Sequence, residues 1–358
     1  MTIAPASKRS VTRHILVALA LILVVAILWT AADALVIAFG GIVLATVLLS
    51  ISLPLARWTG LKPRWTLLIT IALLLGVTTL FCWLFGNEVA HEFSELQRRL
   101  PGAAKDFETW LNGSPAGRFV VQSVRQSGAN AEALSKASAM VGALMSATGN
   151  LLLIVFLGIY FAADPELYRD GAVRLVPTAR RPQVKRTLNH AGVALRKWLV
   201  AQVIAMVAVG VLTGVALGLA GVPLALSLGV LAGILEFIPV IGPILSAVPG
   251  VLLAFSQGPT MVLWVTLIYV GVQQIESNVL TPLIQRWAVK LPPVLGLLAI
   301  VACGLWFGVL GVVFAMPIAV VTMVLVKDLY VRDTLERPPA EEEPEEDRRA
   351  TGPRKTRT

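Results

Sequence analysis

Apolar residues in this chain come in long blocks separated by short charged stretches. Residues 15–32 and 34–53 are each long enough to cross a hydrocarbon core about 30 Å thick, and Asp33 marks the turn between them. This pattern predicts a helical hairpin. Lys8, Arg9 and Arg13 before an apolar run, with small residues at Ala31, Ala32 and Ala34, also have the outline of a cleavable signal peptide. A second apolar run begins at once and no polar mature terminus follows, so a retained first helix fits better. Residues 66–86 form a third span, and Arg57, Lys62 and Arg64 before it place the preceding loop in the cytoplasm by the positive-inside rule.

From residue 87 to 136 the chain turns polar, with acids and bases nearly balanced. Leu96, Leu100, Phe107, Trp110 and Leu111 recur there at helical intervals. The reading is an amphipathic helical insert on the outer face, either a packed cap or assembly surface or a direct contributor to substrate recognition. Residues 141–163 return to the inside, because the loop that follows carries Arg169, Arg174, Arg180, Arg181, Lys185, Arg186, Arg196 and Lys197. Residues 199–220 cross outward, 222–255 form a broken apolar segment, and 261–283 cross back toward Arg286 and Lys290. A last apolar run, 291–326, contains Pro292, Pro293, Gly304, Gly308, Gly311 and Pro317 and ends at Lys327, so it too leaves and re-enters the cytoplasm. The tail from Glu336, with an acidic block at 341–347 and then Arg348, Arg349, Arg354, Lys355 and Arg357, is expected to be disordered.

The expected fold is therefore all-α: a polytopic membrane protein with about eight apolar segments, two of them broken or re-entrant hairpins. Its parts are an N-terminal hairpin and loop (1–65), a third helix (66–86) and the outer insert (87–137). A helix with a basic loop (138–198), a core holding both broken segments (199–329) and a charged tail (330–358) complete it. Composition agrees, with 56% hydrophobic and 14% charged residues. The net charge of +9 does not point to nucleic acid, because the Lys and Arg residues cluster in the short loops between apolar runs. Cys82 and Cys303 each lie inside an apolar run and read as inert core residues.

Glu236 is the only Asp, Glu, Lys, Arg or His between Lys197 and Glu276, and it sits where Pro239, Gly242, Pro243 and Pro249 interrupt the apolar segment. A charge at the centre of a membrane helix costs about 2.5–3.5 kcal/mol on insertion scales, so such residues face a cavity or a partner. Broken backbone at that depth is tolerated only where protein or a water-filled cavity takes up the freed groups. Carboxylate and break together point to a transport site, with a structural helix-end anchor as the rival reading. The next helix ends in Gln273, Gln274, Glu276, Ser277, Asn278, Thr281 and Pro282. Gln273 and Glu276 share a face and Asn278 sits on its flank, a lining too polar for lipid. It serves either as hydrogen-bonding glue between helices or, with Glu236, as a site for a proton or cation.

The two broken segments share a spacing, with Pro223, Gly242 and Pro249 in the first and Pro292, Gly311 and Pro317 in the second. The charge bias enters the first from outside and the second from inside, which is the outline of an inverted repeat. Three matched positions in Gly- and Pro-rich sequence also arise by chance. Nothing suggests an enzyme, a cofactor or a metal site: His14, His91 and His190 are widely separated, and no glycine-rich loop precedes a Lys-Ser or Lys-Thr pair.

The stretch 233–243, Gly-Ile-Leu-Glu-Phe-Ile-Pro-Val-Ile-Gly-Pro, is followed by Gln-Ile-Glu-Ser-Asn-Val-Leu-Thr-Pro at 274–282. Gly308-Val-Leu-Gly311 and Ala315-Met-Pro317 come after it. In this order they resemble the AI-2E transporter family of bacterial inner-membrane permeases, over most of the chain from the first helix to about residue 329. The resemblance implies export of the signal autoinducer-2 or sodium/proton antiport, by homo-oligomers. It makes Pro239, Gly242 and Pro243 a signature turn, and Glu276, Asn278 and Pro282 a polar helix motif. Pro292 departs from the pattern, since many relatives carry His there. The combined expectation is a bacterial inner-membrane secondary transporter of a small polar solute, with both termini cytoplasmic and no nucleic-acid partner. Glu236 and Glu276 would couple H+ or Na+ movement, and Gln273 and Asn278 would supply neutral ligands. Gly308, Gly311 and Pro317 would shape the second hairpin. A passive oligomeric pore and a scaffold that binds a partner through the outer insert are the alternatives.

Overall fold

Residue spacing alone predicts helices throughout, and every regular element among the described residues is helical. The structure, a computed structural model, describes residues 31–113, 149–285, 289 and 291–330. Most of the first apolar run, the insert beyond residue 113 and the charged tail lie outside the described residues.

Helix α1, Ala32–Thr59, places Asp33 in its first turn and Arg57 in its last, matching the helix dipole, and stops at Gly60 in the left-handed conformation (φ 68°). Helix α3, Gly149–Ala163, packs against it through small residues on both sides. A Cβ on Gly41 would lie 2.7 Å from Leu157 Cβ, and one on Gly158 would lie 2.7 Å from a Leu44 methyl carbon. Glycine here lets two backbones approach where lipid offers no hydrophobic drive to hold them together.

Helix α2 runs unbroken over Pro63–Asn112. The expected boundary between a span ending at residue 86 and a separate insert is therefore absent on this side. Residues 87–100 hold neither Gly nor Pro, so the backbone carries its own hydrogen bonds out of the apolar zone. The polar extension then rests on the first broken segment. Its Glu92 Oε2 accepts from Ser227 N (2.8 Å) at the start of α6, Ala225–Leu235. A carboxylate there satisfies an orphan amide and complements the helix dipole. Further out, Phe107 and Trp110 pack on Phe255, the last residue of α7, Ile241–Phe255, with ring centroids 4.9 and 5.4 Å away.

The basic stretch after α3 is also helical rather than a loop. Helix α4, Pro165–Arg174, is bent 89° from α3. Asp164 caps it by accepting from Leu167 N (3.3 Å), with Pro165 in the first turn. Helix α5, Arg181–Leu219, holds Arg181, Lys185, Arg186, Arg196 and Lys197 in its first half and then becomes apolar. Lys185 of α5 binds Asp170 of α4 (3.1 Å) and holds its carboxyl below the usual carboxylate range. Arg196 Nη2 donates to the Ser50 carbonyl of α1 (2.9 Å). His190 and Asp328, 2.5 Å apart, join α5 to the chain just past α10, Pro293–Val326.

Between α7 and α10 lie α8, Pro259–Ile275, a single π turn, Glu276–Leu280, and α9, Thr281–Gln285. By length and composition four described helical stretches are long and apolar enough to cross a membrane: Ala32–Thr59, Pro63–Leu84, Thr178–Leu219 and Pro293–Tyr330, the last of them folded back at Gly308. Counting the bent pair of α3 and α4 makes five. The sequence pattern counts about eight apolar segments. The difference has local causes: 222–255 is divided into two short arms, the π turn divides 261–283, and the first run falls mostly outside the described residues. At 1.5 Å per residue α6 rises only about 16 Å, half of a bilayer core about 30 Å thick.

Both broken segments fold back on themselves. In α10 a Cβ on Gly296 would lie 3.0 Å from Met316 Sδ. A straight helix would separate those residues by about 30 Å, so the two arms are antiparallel about Gly308. Helix α5 backs the first hairpin through a glycine seam in which Gly210 and Gly214 face Gly229 and Gly233. A Cβ on Gly229 would sit 2.6 Å from Gly214 Cα and 2.8 Å from the Gly210 carbonyl oxygen, and one on Gly233 would sit 2.8 Å from the Met206 carbonyl oxygen. Those contacts are backbone on backbone and cannot give way. Gly229→Val is therefore expected to destabilise the protein by about 1–3 kcal/mol or more, the usual cost of overpacking. Gly192→Ala, with nothing within 4 Å of its Cβ, should leave the melting midpoint of the detergent-solubilised protein unchanged or higher.

Candidate functional site

Helix α6 ends at Leu235, and the chain reverses within five residues into α7. Ile241 N donates to the Pro239 carbonyl (2.9 Å) across Val240, whose φ of 71° and ψ of −50° make a γ-turn. A β-branched residue at positive φ is strained, by about 1–3 kcal/mol, and needs surroundings that over-determine it. Those surroundings include Gly242, whose amide donates to the Ile238 carbonyl (2.8 Å). A Cβ there would lie 2.0 Å from the Leu235 carbonyl oxygen. Pro243 follows in the first turn of α7, where its missing N–H costs nothing.

Glu236 stands at the end of α6 and is 3% exposed. Its backbone carbonyl, one of the orphans left by the break, accepts from Gln202 Nε2 of α5 (2.6 Å). The buried amide of Gln202 thus does for the hairpin what water does for a helix end in solution. Both residues line a cavity of about 610 Å³, and Gln273, Glu276, Ser277 and Thr281 line its other side. Glu276 opens the π turn that follows α8. Its Oε2 accepts from Gln273 Nε2, and its Oε1 accepts from Thr281 Oγ1 (3.1 Å). π turns of this kind recur at functional sites because they re-aim side chains that a regular helix would stack. Both carboxylates face one chamber. No Lys, Arg or His is among the described residues that line it.

The second hairpin supplies the opposite rim, with Pro292, Pro293 and Gly296 at the start of α10 facing Pro239 and Pro243. Its reversal repeats the device of the first. Gly308 has φ 59° and ψ −142°, a region open essentially to glycine alone, and a Cβ on Gly311 would lie 2.0 Å from the Cys303 carbonyl oxygen. Buried Pro317 lies in the outgoing arm.

The residues singled out in sequence separate into groups. Glu236, Gln273 and Glu276 come together in the chamber, and Pro239 and Pro243 shape its wall. Asn278 is exposed and outside the lining, because the π turn rotates it away, while Ser277 and Thr281 turn inward in its place. Pro282 is exposed in α9. Sequence reading passed over Gln202, although a lone amide in an apolar helix is itself a signal. The model of the AI-2E transporter family matches residues 16–330.

The chain belongs to the AI-2E family.

It is 28% identical to YueF of Bacillus subtilis over 51% of this chain and 50% of that protein. It is 29% identical to a Thermotoga maritima protein over 64% of this chain and 69% of that one. For a Mycobacterium tuberculosis protein the match is 28%, over 70% of each. Each of these relatives carries the name of a candidate transport protein. The matched region spans about half the length of YueF and of a second Bacillus subtilis relative, YrrI. The AI-2E match and the apolar helices together make this a multi-pass membrane protein of a transport family.

In this AI-2E family member the glycine at the tight reversal is the most exacting position of the site. Gly242→Ala is expected to prevent the hairpin from closing, because the obstructing atom is a backbone carbonyl. The variant should show loss of monodisperse protein on gel filtration, while Gly271→Ala, which meets nothing within 4 Å, should elute as wild type.

Proposed function

We propose that the protein is a secondary transporter that moves a small polar solute by alternating access and couples that movement to H+ or Na+ through Glu236 and Glu276. One observation carries this reading: two carboxylates from different elements, one of them buried Glu236, share a chamber whose described lining has no basic side chain. Buried charge without a partner is costly, so the neutralising positive charge must be brought in, as a proton or a hard cation that takes oxygen ligands. Gln273, held against Glu276, and Ser277 add neutral ligands.

The two hairpins meet at this chamber through their proline-rich ends, the place where inverted-repeat transporters bind their cargo. In this reading the hairpins are re-entrant halves of such a repeat, and rocking of one against the other exposes the chamber to each side in turn. Autoinducer-2 or a similarly small polar molecule is the exported solute that the family name supports. The protein works in the bacterial inner membrane as a homo-oligomer, with both termini in the cytoplasm.

Glu236→Gln keeps the size of the side chain and removes its charge. In proteoliposomes with an imposed proton or sodium gradient, followed with a pH-sensitive dye and with radiolabelled sodium, the variant should move ions no faster than protein-free vesicles. Its gel-filtration profile and helical circular dichroism should match wild type. Ion movement equal to wild type would defeat the coupling role, and gradient-independent leak through both proteins would point to a passive pore.

A further inference from the structure

Every position from Arg57 to Trp65 is exposed, at the turn that joins α1 to α2. The turn is held by its own hydrogen bonds. Gly60 N donates to the Ala56 carbonyl (2.9 Å) and ends α1 in the left-handed conformation. Thr59 Oγ1 donates to the Leu55 carbonyl (2.7 Å) and accepts from Leu61 N (3.4 Å). Trp65 N then donates to the Lys62 carbonyl (3.0 Å), and the buried Thr66 and Leu67 fix the start of α2.

Three basic side chains stand on this turn, those of Arg57, Lys62 and Arg64. No described residue gives any of them an ion pair or a side-chain hydrogen bond. Several basic residues elsewhere are satisfied within the protein: Lys185 meets Asp170, His190 meets Asp328, and Arg181 and Arg196 donate to carbonyls. The chain has no Asp or Glu between Asp33 and Glu88, and each of those lies about 36 Å from the turn along its own helix. That is several times the Debye length of about 8 Å in physiological salt, so neither neutralises the turn. Its counter-charge must come from outside the protein.

The helices that the turn joins indicate what it faces. Ala32–Thr59 and Pro63–Leu84 are both long and apolar enough to cross a membrane, so the turn lies where the chain leaves the bilayer. Trp58, 94% exposed, stands in the last turn of α1, and Trp65, 61% exposed, in the first turn of α2, with exposed Leu61 between them. Indole rings favour the boundary between headgroups and acyl chains, where the ring meets lipid and the N–H meets water. An anionic bilayer surface offers that boundary and negative charge together, whereas a soluble anion offers only the charge. The guanidinium fork and the ammonium group both suit phosphate oxygens. We propose that the turn between α1 and α2 is a docking site for anionic phospholipid, in which Arg57, Lys62 and Arg64 bind the headgroup phosphate and Trp58 and Trp65 seat at the start of the acyl chains.

The test uses the full-length protein in a neutral detergent at low salt, titrated with brominated phosphatidylglycerol or, as zwitterionic control, brominated phosphatidylcholine. Quenching of tryptophan fluorescence reports binding, and the difference between wild type and Trp58→Phe/Trp65→Phe isolates the signal of the turn. That signal should be quenched at lower concentration by phosphatidylglycerol than by phosphatidylcholine, and the preference should shrink as sodium chloride is raised. Lys62→Gln/Arg64→Gln should raise the half-quenching concentration of phosphatidylglycerol roughly tenfold or more and leave that of phosphatidylcholine unchanged. Its melting midpoint without lipid should equal that of wild type, which separates lost binding from lost folding. Arg180→Gln/Arg186→Gln, which removes two exposed basic side chains elsewhere, should keep the preference. The proposal is overturned if wild type shows no preference for the anionic lipid, or if Trp58→Phe/Trp65→Phe is quenched as wild type is. It is also overturned if Arg180→Gln/Arg186→Gln weakens binding as much as the turn variant, which would make the effect one of general surface charge. Abolition of the preference by an equal concentration of inorganic phosphate would overturn it as well, in favour of a free-anion site.

Discussion

The protein depends on satisfying a backbone that is broken inside an apolar segment. A helix interrupted in lipid leaves carbonyl and amide groups with no water to take them, and each unsatisfied group costs several kcal/mol. Between Leu235 and Gly242 the chain meets this cost by folding on itself. A γ-turn at Val240, the Gly242 amide on the Ile238 carbonyl and the Gln202 amide on the Glu236 carbonyl account for groups that the break frees. Everything near the chamber follows from that arrangement. The reversal leaves Glu236 at the tip of α6, facing inward, where neither a straight helix nor a loop in lipid would hold a carboxylate.

Close packing then keeps the hairpin in place. The seam of Gly210, Gly214, Gly229 and Gly233 brings α5 and α6 to backbone contact, so the helix that bears Gln202 cannot drift from the turn that needs it. The polar half of α2 holds the same hairpin at two points, a carboxylate on the start of α6 and an aromatic cluster on the end of α7. The polar extension thus serves as a brace for the first broken segment. The π turn after α8 completes the chamber by turning Glu276, Ser277 and Thr281 toward Glu236.

The two hairpins solve one problem with related means. Each reverses at a residue of positive φ, and each sets a glycine against a carbonyl from the preceding arm, Leu235 in one and Cys303 in the other. Gly242 and Gly311, which hold matching places in the sequence spacing, are the glycines at these close approaches. They differ in what they bury: the first turn carries a carboxylate and the second does not.

The sequence by itself determined the all-helical membrane class, because long apolar runs leave the backbone no other way to satisfy itself in lipid. It also marked the break and its lone carboxylate, since Pro, Gly and Glu are expensive in such runs and therefore stand out. It did not determine where α2 would stop, because hydropathy changes at residue 87 while helical hydrogen bonding does not. Asn278 and Thr281 look equally eligible on a regular helix, and only the π turn separates them. Gln202 reaches its carbonyl only because the glycine seam brings α5 to α6. That is a distance between segments far apart in the chain, which local residue preferences cannot set.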